Sequence, residues 1–333
     1  MRGTPRVGVI EKPPEIRGDR AGPGGPLAPG PRGFTVYDVM LLGMIVIWAG
    51  NPSAIKVALR YMDPMVFNAI RFFLATLLPV GLLLASKETF AWRRGDGPKL
   101  FALGLMGHGF YQALFILGLN ATLAGNVALI LSINPAFVAV FGALLGYERV
   151  RGNTWVGVAV SLAGVGLVVL GSGESLEFGS RLLGDLLIVV VVIVWAFYTV
   201  VSQSLLKRYS AVKLNALTMP TGAAFLLLAS APALARTGPS LVEVPAVAWL
   251  ILVASGLLAV AASYIIWYRG VQKLGATRTA VYSNLTPVLA AFVSIFLLHE
   301  RLGWQFWAGM ALVIAGVSLA RFGGRLLRAR EEA

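Results

Sequence analysis

The chain contains one sequence pattern twice. Residues 124–167 read AGNVALILSINPAFVAVFGALLGYERVRGNTWVGVAVSLAGVGL, and residues 276–319 read ATRTAVYSNLTPVLAAFVSIFLLHERLGWQFWAGMALVIAGVSL. They align without a gap at a separation of 152, with 14 identities in 44 positions. Residue types that chance would rarely match include Pro135/Pro287, Glu148/Glu300, Arg149/Arg301 and Trp155/Trp307. A weaker match at a separation of 147 pairs Trp48-Ala49 with Trp195-Ala196.

The composition around this duplication is that of a membrane protein. Hydrophobic residues make up 57% of the chain and charged residues 13%, against about 25% charged in a soluble domain. Ten apolar segments are long enough to cross a bilayer. They are placed near 36–59, 64–86, 100–119, 125–147, 152–172, 183–205, 213–235, 245–268, 278–299 and 303–321. The prediction is an all-α integral membrane protein with ten transmembrane helices.

The basic residues predict the orientation of these helices. With the N-terminus inside, 22 Lys and Arg residues lie in cytoplasmic loops and tails. Only Arg60, Arg181, Arg236 and Arg301 lie outside. By the positive-inside rule both termini are cytoplasmic. The same rule accounts for the net charge of +13 without nucleic acid as a partner.

The duplicated unit predicts the domain organisation. Each copy spans about five helices, an odd number, so the second copy crosses the membrane in the opposite sense. Residues 34–173 form the first repeat and residues 180–322 the second. Residues 323–333 form a short cytoplasmic tail. Residues 1–33, with seven prolines and eight glycines, are predicted to be a disordered cytoplasmic tail and have no apolar core of a signal peptide.

The order of short motifs resembles the EamA family of the drug/metabolite transporter superfamily. The motifs are Trp48-Ala49-Gly50-Asn51, Ile55-Lys56, Arg71-Phe72, Asn134-Pro135, Glu148-Arg149, Trp195-Ala196, Thr286-Pro287 and Glu300-Arg301. The resemblance covers about residues 36–322. It implies ten helices in two five-helix repeats, in the inner membrane of a bacterium. It also implies export or exchange of amino acids, other metabolites or drugs, with exporters of aromatic amino acids among the relatives.

Two charged residues lie inside apolar segments. Lys56 and Arg71 are expected to bind an anionic group such as a substrate carboxylate, because an ionisable group at that depth is costly unless paired or hydrated. The alternative is that they snorkel to the outer interface or form structural ion pairs. No Asp or Glu lies near the middle of a span, which argues against an exporter of cationic drugs and against carboxylate-based proton coupling. His108 is a possible titratable group, with helix packing as its alternative.

Amides and aromatic rings recur within the apolar segments. They are expected to line a substrate cavity between the repeats, although packing and the interfacial belt are alternatives for any single ring. With Lys56 and Arg71, the cavity residues are Trp48, Asn51, Tyr111, Gln112, Asn134, Trp195, Tyr198, Tyr264, Tyr282 and Asn284. Pro135 and Pro287, at matching mid-helix places, are expected to act as paired hinges.

These features favour a secondary transporter that carries amino acids, aromatic ones included, or related small metabolites by alternating access. A multidrug exporter is the alternative within the superfamily. An intramembrane enzyme or a channel is the alternative outside it, but no catalytic set or filter is evident. The sequence predicts no catalytic residue, metal site or cofactor. The expected partners are a small-molecule solute and the lipid bilayer, with the chain a monomer or a homodimer.

Overall fold

The computed structural model describes residues 35–146, 152–171 and 180–331, which form helices without a β-strand. The predicted tail 1–33 and the Glu148-Arg149 pair lie outside these residues. The helices of the first repeat are α1 Val36–Ala58, α2 Pro64–Ala85, α3 Gly97–Ala121, α4 Ala124–Leu131, α5 Asn134–Leu144 and α6 Gly152–Gly171. Those of the second are α7 Ser180–Leu206, α8 Ala211–Thr237, α9 Ala246–Leu274, α10 Ala276–Val281, α11 Thr286–Leu298 and α12 Trp304–Glu331.

Helix length and composition make this a multi-pass membrane protein. Within the described residues, seven segments are long and apolar enough to cross a membrane. Shorter apolar helical stretches are Trp155–Leu167, Thr286–Leu298 and Trp304–Gly316. Helix α12 continues to Glu331, past the predicted end of its span near residue 321. No proline interrupts residues 321–331.

Corresponding helices of the two repeats begin in corresponding ways. Asp63 caps α2, accepting hydrogen bonds from Met65 N at 2.8 Å and Val66 N at 3.2 Å. Ser210, which is 147 residues further on, caps α8 by accepting from Lys213 N at 3.2 Å. Side-chain oxygens satisfy backbone N–H groups that the first helical turn leaves unpaired. The separation of 147 therefore extends from Trp48 and Trp195 to the next pair of helices.

Two spans are broken rather than bent, and the prolines lie just after each break. α4 ends at Leu131 and α5 begins at Asn134, so Pro135 occupies the first turn of the new helix. In the second repeat a 3-10 turn separates α10 from α11, and Pro287 again lies in the first turn. Proline is tolerated there because the first turn needs no N–H donor. The expected mid-helix position of Pro135 and Pro287 is therefore wrong, while their role as hinges stays a prediction.

Helices α6 and α12 pack through reciprocal close contacts. A Cβ added at Gly164 would lie 2.7 Å from Gly309 O and 2.9 Å from Val313 N. A Cβ added at Gly316 would lie 2.6 Å from Gly157 O and 2.5 Å from Ser161 N. Each of these three pairs is separated by 152 residues: Gly157/Gly309, Ser161/Val313 and Gly164/Gly316. Exchanging the repeats thus turns one contact set into the other.

We call the end of the bundle that the basic residues predict to face the cytoplasm the inner end, and the opposite end the outer end. A buried carboxylate at the inner end joins the two repeats. Asp96, just before α3, accepts from Arg208 Nη1 at 2.9 and 3.1 Å and from Tyr209 OH at 2.8 Å. Tyr209 OH in turn accepts from Arg93 N at 3.0 Å. Burial raises the pKa of Asp96, but the hydrogen bonds from Tyr209 and Arg208 and the Arg208 charge overcome it, so the pKa is lowered overall.

This lowered pKa predicts an acid-sensitive contribution to stability. Asp96 stabilises the folded protein above the ordinary aspartate pKa of about 3.9, and this contribution is lost as the pH falls through the lowered folded-state value. Asp96→Asn should therefore lower the unfolding temperature most near neutral pH, with the difference from wild type narrowing in acid. Thermal unfolding in detergent across the pH range measures this. A difference that is constant with pH would contradict the prediction.

Candidate solute cavity

A cavity lies inside the bundle where the two repeats meet. It holds about 750 Å³ of atom-free space, part of it open to solvent. Its lining combines aromatic rings, apolar side chains, amides, hydroxyls and one guanidinium. The lining residues are Trp48, Asn51, Pro52, Arg71, Tyr111, Gln112, Phe115, Ala128, Leu131, Asn134, Val192, Trp195, Ala259, Val260, Tyr264, Ser283 and Thr286.

The cavity is built from matching positions of the two repeats. A separation of 147 relates the lining residues Trp48 and Trp195, and a separation of 152 relates the pairs Gln112/Tyr264, Leu131/Ser283 and Asn134/Thr286. Two of these pairs touch across the cavity. The Trp48 and Trp195 rings pack edge to face with centroids 6.3 Å apart, and Gln112 Nε2 donates to Tyr264 OH at 2.7 Å. Residues that meet their own counterparts lie where the two halves join.

Arg71 supplies the charge of the cavity. It is 1% exposed, and its Nη2 donates to Asn68 Oδ1 at 2.7 Å and to Gln112 Oε1 at 2.6 Å. Its Nη1 donates to Ser255 Oγ at 3.1 Å, and Ser255 donates onward to Asn51 Oδ1 at 2.6 Å. These partners are all neutral, and among the described residues Arg71 Nε has no partner. Three of the five guanidinium donors are used, which leaves two for a ligand.

Helix α9 positions one of these partners through a local change in its winding. Residues Ser255–Ala262 form a π-helix, and the corresponding span of the first repeat has one at Leu105–Phe110. Gly256 lies against α2, since a Cβ there would be 2.8 Å from Arg71 O. The absence of a side chain lets the two backbones approach and brings Ser255 within reach of Arg71. Such π-helical insertions are frequent at functional sites.

Aromatic rings form one continuous wall around Trp195. Its ring centroid lies 5.0 Å from that of Tyr111, 5.1 Å from Tyr264 and 5.8 Å from Trp267. Trp48 is fixed by a hydrogen bond from Nε1 to Ala259 O at 2.9 Å. Ring pairs at these separations are favourable beyond the area they bury. The wall is therefore a rigid surface for a flat apolar group.

Two polar side chains in the lining are buried without a partner. Asn134 is 3% exposed, and neither its amide nitrogen nor its amide oxygen has a hydrogen-bond partner in the described part of the chain. Thr286, its counterpart, is 6% exposed, and its Oγ1 is likewise unpaired there. Each residue begins the second half of a broken helix. Buried polar groups normally have partners, so these unpaired atoms have hydrogen-bonding capacity left for water or for a polar group of a solute.

The structure brings most, but not all, of the predicted cavity residues together. Eight line the cavity: Trp48, Asn51, Arg71, Tyr111, Gln112, Asn134, Trp195 and Tyr264. Tyr198 and Tyr282 lie outside this lining; Tyr198 stacks behind Trp195, and Tyr282 donates a hydrogen bond to Asp38. The side chain of Asn284 lies outside the described residues.

His108 belongs to a buried polar cluster behind the aromatic wall. Its Nε2 lies 3.0 Å from Thr218 Oγ1 and 2.8 Å from Tyr198 OH, which also hydrogen-bonds Tyr268 OH. Its ring stacks on Tyr264 at 5.5 Å. His108 is fully buried and does not line the cavity, as the helix-packing alternative expects.

Lys56 lies apart from Arg71, in a second pocket at the outer end of the bundle, opposite the Asp96–Arg208 pair. Its Nζ donates to Thr122 O and lies 3.8 Å from Glu300 Oε1. Glu300 also accepts from Ala124 N at 2.8 Å and from Gly125 N at 3.1 Å. A carboxylate from the second repeat thus caps α4 of the first, where the helix dipole favours negative charge. This structural pairing is the alternative that the sequence left open for Lys56.

Glu300→Gln should destabilise this junction. A neutral amide cannot accept equally well from both backbone N–H groups, and it leaves the partly buried Lys56 charge without its carboxylate. We expect a loss of about 1–3 kcal/mol in the free energy of unfolding. A double-mutant cycle with Lys56→Met should give a coupling of about 0.5 kcal/mol or more. Strict additivity would show that the two side chains do not interact.

Two buried acids, each near the end of a helix, form structural contacts that the sequence did not predict. Asp38 and Asp185 are 147 residues apart and both fully buried. Asp185 Oδ1 accepts from Thr122 Oγ1 at 2.5 Å, and its Oδ2 accepts from Asn126 Nδ2 at 3.1 Å. Each acid ties the first helix of one repeat to the broken span of the other. Their matching separation was a signal that could have revealed them. Among the described residues, no three metal-ligating side chains come together.

Comparison with known proteins agrees with this architecture. The EamA-like transporter family matches residues 35–170 and 182–322. An uncharacterized transporter of Archaeoglobus fulgidus is 30% identical over 293 residues, which cover 84% of this chain and 96% of that protein. The uncharacterized transporter YyaM of Bacillus subtilis is 28% identical over 285 residues, covering 85% and 92%. A solved crystal structure is similar in fold, with a TM-score of 0.60 at 19% identity, covering 88% of this chain and all of that one.

The two family matches fall on the duplicated halves, and the resemblance inferred from the short motifs is confirmed. This chain belongs to the EamA-like transporter family.

Proposed function

We propose that the protein is a secondary carrier that exports or exchanges small organic solutes bearing a carboxylate. Amino acids, aromatic ones included, and related metabolites are the leading class. One observation carries the proposal: Arg71 is buried in an aromatic-walled cavity, its described partners are neutral, and two of its donors remain for a ligand. A buried cation without a carboxylate partner is costly unless an anion binds it.

The mode of transport is alternating access between two inverted five-helix halves, with ten spans in all. Support comes from the reciprocal packing of α6 and α12 and from the matched residue pairs that line the cavity. Contacts join the halves at both ends of the bundle: Lys56–Glu300 at the outer end and Asp96–Arg208 at the inner end. Each must loosen in turn when the cavity opens to its side. The basic residues favour a topology with both termini in the cytoplasm, and the family favours the inner membrane of a bacterium.

The cavity lining disfavours the multidrug alternative. A carrier of cationic drugs needs a negative or strongly acceptor site, whereas the described lining contains one cation and no carboxylate. A channel would need a continuous hydrated path, whereas side-chain contacts join the two halves at both ends of the bundle. The broken helices beside Asn134 and Thr286 fit a transporter, in which irregular backbone lines the solute site.

Solute counterflow in proteoliposomes tests the proposal. The purified protein is preloaded with single unlabelled amino acids or other organic acids, and uptake of a trace labelled solute is followed with and without a pH gradient. Saturable exchange that falls with Trp48→Ala or Tyr111→Ala supports the aromatic cavity. Exchange of organic cations, with no response to any carboxylate, would instead support the multidrug alternative.

A further inference from the structure

Resting on the proposed carriage of carboxylates, but placing hydroxy acids ahead of amino acids, we infer that the cavity selects monoanionic aromatic carboxylates whose second polar group is neutral, such as a 2-hydroxy acid. A zwitterionic amino acid of the same shape binds less well. Thr286 and Asn134 are the specificity-determining residues for the neutral group, and Arg71 binds the carboxylate.

The first argument is the charge of the loaded cavity. Arg71 is the one charged residue among the described lining residues. A monoanion therefore leaves the loaded cavity neutral, whereas a zwitterion adds an ammonium that no lining carboxylate compensates. Three carboxylates elsewhere in the described bundle, none of them in the lining, are engaged: Asp38 with Tyr282, Asp185 with Thr122 and Asn126, and Glu300 with Lys56 and the start of α4. Removing an ammonium from water without a counter-charge is unfavourable.

The second argument is the chemistry of the unpaired side chains of Asn134 and Thr286, here called the neutral pole. Asn134 offers both an amide donor and an acceptor, and Thr286 offers a hydroxyl that serves as either. All three atoms are buried, and none has a partner among the described residues. A hydroxyl or carbonyl of the ligand can satisfy such groups without bringing charge. The pole therefore complements a neutral polar substituent.

The aromatic wall does not replace the missing carboxylate. A ring face attracts a cation, but this attraction is weak compared with the loss of water around an ammonium. The faces are also occupied in part by one another, since Trp48, Trp195 and Trp267 pack together at centroid distances of 5.5 to 6.3 Å. Their role here is to hold the aryl group of the ligand.

Four probes of similar shape separate these contributions. They are 3-phenyllactate, phenylalanine, 3-phenylpropionate and phenethylamine. The concentration of each that half-saturates thermal stabilisation of the purified full-length protein is measured in detergent, because a ligand that binds the folded state raises its stability. We expect 3-phenyllactate to bind at least about tenfold more tightly than phenylalanine. We expect 3-phenylpropionate to lie between them and phenethylamine not to bind.

Matched valine substitutions then locate the neutral pole. Thr286→Val should abolish the advantage of 3-phenyllactate over 3-phenylpropionate and leave 3-phenylpropionate unchanged. Thr199→Val is the control, because Thr199 Oγ1 is also buried without a described partner but does not line the cavity. It should preserve the full order of affinities. An equal loss of both acids in Thr286→Val would overturn the assignment of the pole.

The failures of the two proposals are distinguishable. If phenylalanine binds as tightly as 3-phenyllactate, or more tightly, the selectivity for monoanions is overturned while carriage of carboxylates stands. If none of the three carboxylates binds, or if phenethylamine alone binds, the proposed function fails as well.

Discussion

Replacing Arg71 with glutamine should reduce carboxylate exchange by about 100-fold or more, because the substitution removes the charge that binds the solute. Glutamine can keep a hydrogen bond to Asn68 or Ser255, so the local packing of α2 against α9 is retained. The loss should therefore appear in solute affinity rather than in folding. Counterflow rates and solute-induced thermal stabilisation, measured on the same preparation, separate the two.

Two further variants make this result specific. Arg71→Lys keeps a charge but cannot reach Asn68, Gln112 and Ser255 with the fork of a guanidinium, so intermediate activity is expected. Arg94→Gln removes an exposed cation from the inner end, away from the cavity and from the Asp96–Arg208 contact, and should leave solute affinity unchanged. Undiminished affinity in Arg71→Gln would contradict the carboxylate site.

A large effect on stability is also expected from Gly164→Ala. The new methyl group would lie 2.7 Å from Gly309 O and 2.9 Å from Val313 N, both backbone atoms of α12. It can be accommodated only if α6 and α12 separate. Small residues permit this kind of close helix approach in membranes. We expect a loss of about 1–3 kcal/mol in the free energy of unfolding.

Gly166→Ala is the matched control on the same helix. A Cβ at Gly166 meets nothing within 4 Å, so the substitution adds no clash. Alanine is favoured over glycine inside a helix by about 1 kcal/mol, so this variant should be neutral or more stable. Thermal unfolding of both variants in one detergent gives the comparison. Equal effects of the two substitutions would show that α6 and α12 are not packed closely at Gly164.

The sequence was sufficient for the family and for the duplication, because proline, tryptophan and a Glu-Arg pair recur in register. It also singled out Arg71, because an arginine inside an apolar segment requires a compensating environment. It could not separate Arg71 from Lys56, since both lie at similar depth in neighbouring spans. The difference comes from Glu300, which lies 244 residues from Lys56 in the chain and pairs with it only after folding.

Which aromatic residues line the cavity also depends on contacts that form only in the folded protein. Tyr198 and Tyr264 both lie in apolar helices and both contact Trp195, but only Tyr264 lines the cavity. Conversely, Phe115 lines the cavity although nothing in its own segment marks it. Thr286 also lines the cavity and matches the predicted Asn134 at a separation of 152, so pairing the repeats residue by residue would have found it.

Access to the cavity from the two sides of the membrane is the central claim, and cysteine labelling measures it most directly. The chain has no cysteine, so Ser283→Cys in the cavity lining is a single-cysteine protein without further change. A charged thiol reagent that cannot cross the membrane is applied to right-side-out and to inside-out vesicles. Leu228→Cys, 77% exposed on the apolar surface of α8, is the control that should not react. Labelling of Ser283→Cys from both sides, slowed in each case by saturating 3-phenyllactate, is the predicted result. Labelling from one side only, or labelling that no carboxylate slows, would contradict alternating access through this cavity.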